Sequence, residues 1–527
     1  READELPGGS AERSLSNRQP PLGRYAAVVA SMLGTCALAA WSHAGQTRSE
    51  STQLLVASLR PALALQKAEP GIEEADMLCR GHPAEGGFGL PQVSIVGGPP
   101  PPPMQPNWVP RICTPLYSGP NCSNATSWQG TVTLCINGVA IPGVVVKTRG
   151  HVSAMFPKQQ FSLKLPYAVG LLGMHPAIRW VLAMSFVDTT YQRNPLAFDL
   201  YTRLGGWATK TRYATLKWHD EDFGLYYIGE RIERAPGRLS LPAANPERPE
   251  ESGYLLTVDW PKEGKVWVKT PNTSTYFSFI YPPKEKDISR VQKEYVQALV
   301  DRVDNLAAGA DDSLGLERAL DYRSFARYFI VEELARDVDG YAFSDFMAVE
   351  HGKLVHAAPW DFDLAFGFAC MPNCFTNAYT GEDTTLSVAG WNVENERDSA
   401  AWFGPTGLKS GGVIHFGSNR RAFFMHLWSH ASFRKQFAAQ WFEARRGPLS
   451  DEALVELVES RSREIALAAK HDMHVWAGRD RCAFFVCCSR AASEDFDTAR
   501  QHLVRYLLGR ARWIDGHARD APCSSSM

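Results

Sequence analysis

Apolar positions along this chain follow two different rhythms. Over 108–149 they come in short runs broken by turn residues, whereas from residue 289 onward they recur every third or fourth position. Side chains repeat every second residue on a strand and about every 3.6 on a helix, so the first rhythm predicts strands and the second helices. Strands are expected over 131–136 and 144–147 around Asn137-Gly138, a dipeptide suited to a tight hairpin turn. Two more are expected over 225–232 and 253–259. A helix over 191–204 closes at Gly205-Gly206. Amphipathic helices follow over 289–307 and 322–336, the second with Phe325, Tyr328 and Phe329 on one face and Asp321 as N-cap. From residue 420 the pattern is mainly helical, including 451–470. Strands first and helices later predict an α+β fold, β-rich in its N-terminal part and helical in its C-terminal part.

The pattern also divides the chain. Residues 1–24 form a polar tail, and the sequence begins with Arg1 rather than Met, as a processed or truncated chain does. The uncharged apolar run 25–41 has about the length, roughly 17–25 residues, that spans a bilayer. A buried core helix would need a partner that the polar flanks do not offer. Ser42-His43-Ala44 suits a cleaved signal peptide, while Arg13, Arg18 and Arg24 ahead of the run suit a signal anchor. Either reading sends the rest of the chain into the secretory pathway, to the lumen, the cell surface or the medium, with membrane attachment through 25–41 if it stays uncleaved. Residues 42–106 read as a stalk ending in the proline run 99–103. The folded domain is expected over 107–515, with a short tail at 516–527.

Composition narrows the class only a little. With 527 residues, 45% of them apolar, the chain can bury a large core. Its 55 basic and 57 acidic residues leave a net charge of −2, which gives no reason to expect a nucleic-acid partner. There are 11 cysteines, and with Cys36 inside the apolar run an even number is left for the remainder. Cys370, Cys374, Cys482, Cys487 and Cys488 lack the paired spacing of zinc ligands, so disulfides are the expected use. Asn121-Cys122-Ser123, Asn124-Ala125-Thr126 and Asn272-Thr273-Ser274 match the N-glycosylation pattern.

The chemistry concentrates in 332–367. Asp339 is followed five positions later by Ser344, then by a two-strand pattern turning at His351-Gly352, then by Asp361-Phe362-Asp363. Folding that hairpin brings Asp339 and Asp361 to one end. Phosphoryl transfer needs a carboxylate at the accepting hydroxyl and further oxygen ligands for the divalent ion that neutralises the phosphates. Lone Asp-x-Asp pairs are mostly solvated loop residues. Here Trp360, Leu364, Ala365 and Phe366 surround the pair with apolar groups, and a carboxylate in such company calls for a metal or a cationic partner.

These residues resemble the CotH-type (spore coat protein H) atypical kinases. Glu333-Leu334, Asp339-Gly340-Tyr341 and Ser344, then Gly352-Lys353-Leu354 and Pro359-Trp360-Asp361-Phe362-Asp363-Leu364-Ala365-Phe366-Gly367, are similar to that family's catalytic segment. Upstream, Arg149-Gly150 with Ser153, Phe156-Pro157-Lys158 and Phe161-Ser162-Leu163-Lys164 resemble its basic segment. Trp180-Val181-Leu182, Asp188, Arg193-Asn194, Gly224-Leu225-Tyr226 and Glu230 follow in the family's order, and the resemblance runs over about 127–470. It implies a two-lobed, atypical protein-kinase-like fold using ATP with Mg²⁺ or Mn²⁺. By residue it implies Asp339 as base, Asp361 and Asp363 as metal ligands, and Ser344 where many members carry Asn. It implies Lys158, or else Lys164, as the cation on the phosphates, Glu230 as that lysine's partner, and Arg149 on a phosphate or bracing the loop of Ser153. The implied activity is phosphorylation of Ser or Thr on secreted or surface proteins. Transfer to a glycan or of a nucleotidyl group, and a surface binding protein or adhesin on the same fold, remain open.

Overall fold

Seven strands of the first part curl into a closed barrel. They are β1 (Gln92–Val96), β2 (Gln129–Ile136), β3 (Val139–Arg149), β4 (Gln160–Val169), β5 (Ala177–Met184), β6 (Thr211–Trp218) and β7 (Glu221–Glu230), arranged β1-β2-β3-β4-β5-β7-β6. Neighbours are antiparallel except at the seam, where β1 runs parallel to β6 with Gln92 beside Thr215. Closure leaves no open strand edge. Val93, Ile95, Leu134, Val146, Phe161, Leu163, Leu182, Leu216, Trp218 and Ile228 fill the interior. This is a computed structural model, and it describes residues 77–80, 87–99, 128–136, 138–150, 153, 156–259, 266–309, 313–337, 339–368, 387–394, 421–479 and 494–519.

The seam corrects one boundary. Residues 42–106 are not stalk throughout, because Gln92–Val96 is a barrel strand with all five residues buried. Glycine and proline on both sides make this short run read as linker, and its partner β6 lies far along the chain. A disulfide between Cys79 and Cys135 ties residues 77–80 to β2, with Cα atoms 5.6 Å apart. The apolar run 25–41, Asn121, Asn124 and the five cysteines from Cys370 to Cys488 lie outside the described residues. Among the described residues no helix is long and apolar enough to cross a membrane.

A second sheet carries the expected hairpin. Its strands are β8 (Tyr254–Val258), β9 (Trp267–Lys269), β10 (Tyr276–Tyr281), β11 (Asp345–Glu350) and β12 (Lys353–Ala358), in the order β12-β11-β8-β10-β9. β11 and β12 pair around His351 and Gly352, which both adopt positive φ.

Helices fill the rest of the C-terminal part: α1 (Arg193–Arg203), α2 (Arg290–Ala308), α3 (Ser313–Ala319), α4 (Tyr322–Ala335), α5 (Ala422–Ser429), α6 (Ala431–Arg445), α7 (Asp451–Val475) and α8 (Phe496–His517). α4 is the central one. Asp321 caps it by accepting from Ser324 N, and Phe325, Phe329, Ile330 and Leu334 bury against α6, α8, α1 and β12. α7 lies across β7 and so joins barrel to helices. The expected α+β order, strands first and helices later, is what forms.

Candidate active site

The site begins where α4 stops. Arg336 ends the helix in the left-handed conformation, its N–H bonded to Glu332 O at 2.7 Å, and the chain turns sharply. Ala342 N and Phe343 N then both donate to Asp339 O, at 3.1 and 3.0 Å, which fixes a tight turn around Asp339. Tyr341 anchors that turn in the core: its hydroxyl donates to Glu333 Oε1 at 2.8 Å, and its N–H to Tyr328 Oη at 3.2 Å. Tyr328 in turn bonds the carboxylate of Asp345. With Tyr341 and Asp345 buried as pegs, Asp339 and Ser344 stay half-buried between them.

The second arm returns from β12. Ser344 Oγ donates to Asp361 Oδ2 at 3.3 Å, so the hairpin does close the two ends together. Phe362 N donates to Asn194 Oδ1 at 2.6 Å, Arg193 Nε to Ala365 O at 2.9 Å, and Phe366 N to Ala335 O at 2.7 Å. Asp188 holds Arg193 in a buried ion pair and accepts its N–H at 3.0 Å. Asp188, Arg193 and Asn194 therefore clamp the turn that presents Asp361 and Asp363. Sequence reasoning noted these three as a run without a role. The signal was an Arg-Asn pair at a helix start, where a side chain can reach outward to another segment.

Negative charge accumulates here. Burial raises the carboxyl pKa of Asp363 well above its usual range, and Asp361, Asp339 and Asp188 raise it further. Asp337 is raised by burial and then by Asp339, Asp361 and Asp363, so these carboxylates share one field. Asp361 itself is exposed at the surface, yet protein packed behind it lifts its pKa, while Arg149 pulls it down. Arg149 is the cation that acts on Asp361, and Arg421 acts on Asp337. The Arg149 guanidinium sits 5.2 Å from the Trp360 ring centre, and its Nη1 donates to Gln160 Oε1 at 3.3 Å.

A divalent cation fits this donor set. Among the described residues no three His, Cys, Asp or Glu side chains group as a complete metal cage. Mg²⁺ does not ask for one: it is held by one or two carboxylates together with substrate phosphates and water. Asp361 and Asp363, with Ser344 at hydrogen-bond distance, supply that partial set and a negative charge that Arg149 only partly offsets.

The two lysines lie elsewhere. Lys158 is fully buried, its Nζ donating to Leu225 O at 2.7 Å and paired with the Asp472 carboxylate of α7. Tyr226 presents its ring 4.8 Å from that Nζ. Asp472 Oδ1 also accepts Leu225 N at 2.7 Å, and a Cβ on Gly224, at φ +75, would stand 2.2 Å from it. Glu230, the expected partner, sits five residues along β7, roughly 17 Å away by strand rise. There its Oε2 accepts Lys210 N at 3.3 Å beneath Arg238. The expected Lys158–Glu230 pair is thus replaced by Lys158–Asp472. Lys164 is exposed on β4 between Val145 and Arg179. A shallow groove bounded by Asp321, Arg323, Arg327, His351 and Lys353 lies apart from the carboxylates.

Comparison with curated proteins finds no match. A family model described as CotH kinase protein matches residues 146–514, from within β3 to within α8, and this span contains Arg149, Lys158, Asp339, Ser344, Asp361 and Asp363. A match over more than half of the chain, including every element that builds the carboxylate site, shows that the protein belongs to the CotH kinase family.

Proposed function

We propose that the chain is an ATP- and Mg²⁺- or Mn²⁺-dependent kinase on a two-lobed, atypical kinase-like fold, phosphorylating Ser or Thr of secreted or surface proteins. The observation that carries this reading is the meeting of Ser344 and Asp361 beside Asp363 and Asp339, with Arg149 alongside. A bound divalent ion would neutralise the triphosphate. Asp361 and Asp363 would hold it, with Ser344 as a weaker third oxygen. Arg149 contacts a phosphate. Asp339 takes the proton of the acceptor hydroxyl as its oxygen bonds to the γ-phosphorus and the bond from that phosphorus to the ADP oxygen breaks. Lys158 acts through Asp472 and β7 as a positioning residue, and Lys164 offers a cation at the barrel surface.

The secretory compartment is supported by the Cys79–Cys135 disulfide, since such bonds persist in oxidising surroundings. Asn272, in the turn between β9 and β10, is exposed, with its Nδ2 donating to Asn305 Oδ1 at 2.8 Å. The deciding experiment incubates the purified chain with acceptor proteins and either γ-labelled or α-labelled ATP. Metal-dependent transfer of the γ-label alone supports the kinase reading. Transfer of the α-label points to nucleotidyl transfer, and no transfer of either to a binding protein on the same fold.

A further inference from the structure

Beneath the turn of Asp339 lie buried side-chain oxygens that have no hydrogen-bond partner. Glu332 lies on the last turn of α4, Asp337 just beyond it, and Asn392 on the segment 387–394, with exposures of 2%, 2% and 0%. Asn392 Nδ2 donates to Asp337 O at 3.0 Å, and Asn392 N to Glu333 Oε2 at 2.5 Å. A Cβ on Gly340 would lie 2.1 Å from Glu332 Oε2 and 3.3 Å from Asp337 O, so the Glu332 carboxylate and the Asp337 carbonyl flank the same point. Glu332 Oε2, Asp337 Oδ1 and Asn392 Oδ1 are all buried and have no hydrogen-bond partner. Rotating the Asn392 amide would not help, because it would set its oxygen against the Asp337 carbonyl.

The usual remedies leave this set unsatisfied. One proton shared by Glu332 and Asp337 serves those two oxygens and leaves Asn392 Oδ1 without a donor. One water donates two hydrogen bonds to three acceptors, and the single guanidinium of Arg421 that faces both carboxylates, itself donating to Asn392 O at 2.9 Å, offsets only part of their charge. A cation serves all three at once. We propose that Glu332, Asp337 and Asn392 bind a hard divalent cation, Ca²⁺, at a site separate from Asp361 and Asp363. Two carboxylates with neutral carbonyl oxygens are the ligand mixture that Ca²⁺ takes, and it tolerates the irregular geometry that Mg²⁺ does not. The bound ion would tie the end of α4 to 387–394 two residues before Asp339, and so set where that carboxylate stands. The inference does not rest on the kinase reading, because its readout is ion binding.

The test uses the full chain carrying Asp361→Asn and Asp363→Asn, stripped with chelator, so that the outer carboxylates contribute little. Expected is one Ca²⁺ per chain by elemental analysis after desalting, and an unfolding temperature that rises with added Ca²⁺. Adding Glu332→Gln should weaken that affinity at least about tenfold, whereas Asn392→Asp, which adds a charge without changing shape, should strengthen it. Retention of no ion with no thermal shift at millimolar Ca²⁺ would overturn the site. So would Ca²⁺ binding indifferent to Glu332→Gln, or a preference for Mg²⁺ or K⁺. If Glu332→Gln folds poorly, the ion count on the parent chain and the gain from Asn392→Asp still decide the matter.

Discussion

Arg336, Tyr341, Ser344 and Asp361 all hold left-handed backbone, at φ 46, 65, 56 and 74, although none is glycine. Such conformations persist only where surroundings enforce them, and they gather at working sites. Here the enforcement comes from Tyr341 and Asp345 pegged into the core and from Asn194 gripping Phe362 N. What the strain achieves is the convergence of Asp339, Ser344 and Asp361. Replacing Asp339 by Asn should lower γ-phosphoryl transfer by about 10²–10⁴-fold with ATP affinity nearly intact, because a base contributes to turnover and not to binding. Asp361→Ala should damage both, since the phosphates lose their counter-charge. Rates and nucleotide titration of the two variants side by side check this. If both variants keep wild-type turnover, the catalytic centre lies elsewhere.

Between elements, the decisive contacts are those no local pattern announces. The β11–β12 hairpin was legible because its turn and both strands are contiguous. Lys158 with Asp472 was not, because 314 residues separate them and only the packing of α7 on β7 joins them. Breaking a buried ion pair leaves one charge stranded, so Lys158→Ala should cost about 3–5 kcal/mol of stability, while Lys158→Met combined with Asp472→Leu should cost far less. Gly224→Ala should cost more than about 1 kcal/mol, from its positive φ and the clash with Asp472. Denaturant unfolding measures all three. A loss of nucleotide affinity without loss of stability in Lys158→Ala would instead restore that lysine to the phosphates.

The α4–β12 contact carries a pH signature. His356 stacks on Tyr328 with ring centres 3.8 Å apart, and burial holds its pKa well below the usual imidazole value. The unfolded chain therefore takes up a proton near pH 6.5 that the folded chain refuses, and stability falls as pH drops below that point, by at most about 1.4 kcal/mol per pH unit. His356→Phe should flatten this part of the stability curve. Unfolding measured between pH 7 and pH 5 for both proteins gives the comparison.

At the scale of the molecule, the α+β order was readable from periodicity, but closure of the barrel was not. Alternation marks strands and their faces, and says nothing of which distant strand completes the ring. The Cys79–Cys135 bond spans 56 residues, and the chain-entropy relation gives such a loop about 4 kcal/mol of stabilisation. Reduction, or Cys79→Ala with Cys135→Ala, should lower the unfolding temperature accordingly. Removal of N-linked glycans should increase gel mobility of protein recovered from a secretory host, and recovery of Asn272 without glycan would count against that compartment for this position.

The seam between β1 and β6 has a bearing on biosynthesis. β1 leaves the ribosome well before β6, so the edge that will close the barrel must wait through the making of β2 to β5. During that interval only β2, which emerges next, can cover one side of β1, and Cys79 can bond Cys135 as soon as β2 is out. In an oxidising compartment the bond would act as a bookmark, holding the place of the first strand until β6 and then β7 arrive to shut the ring.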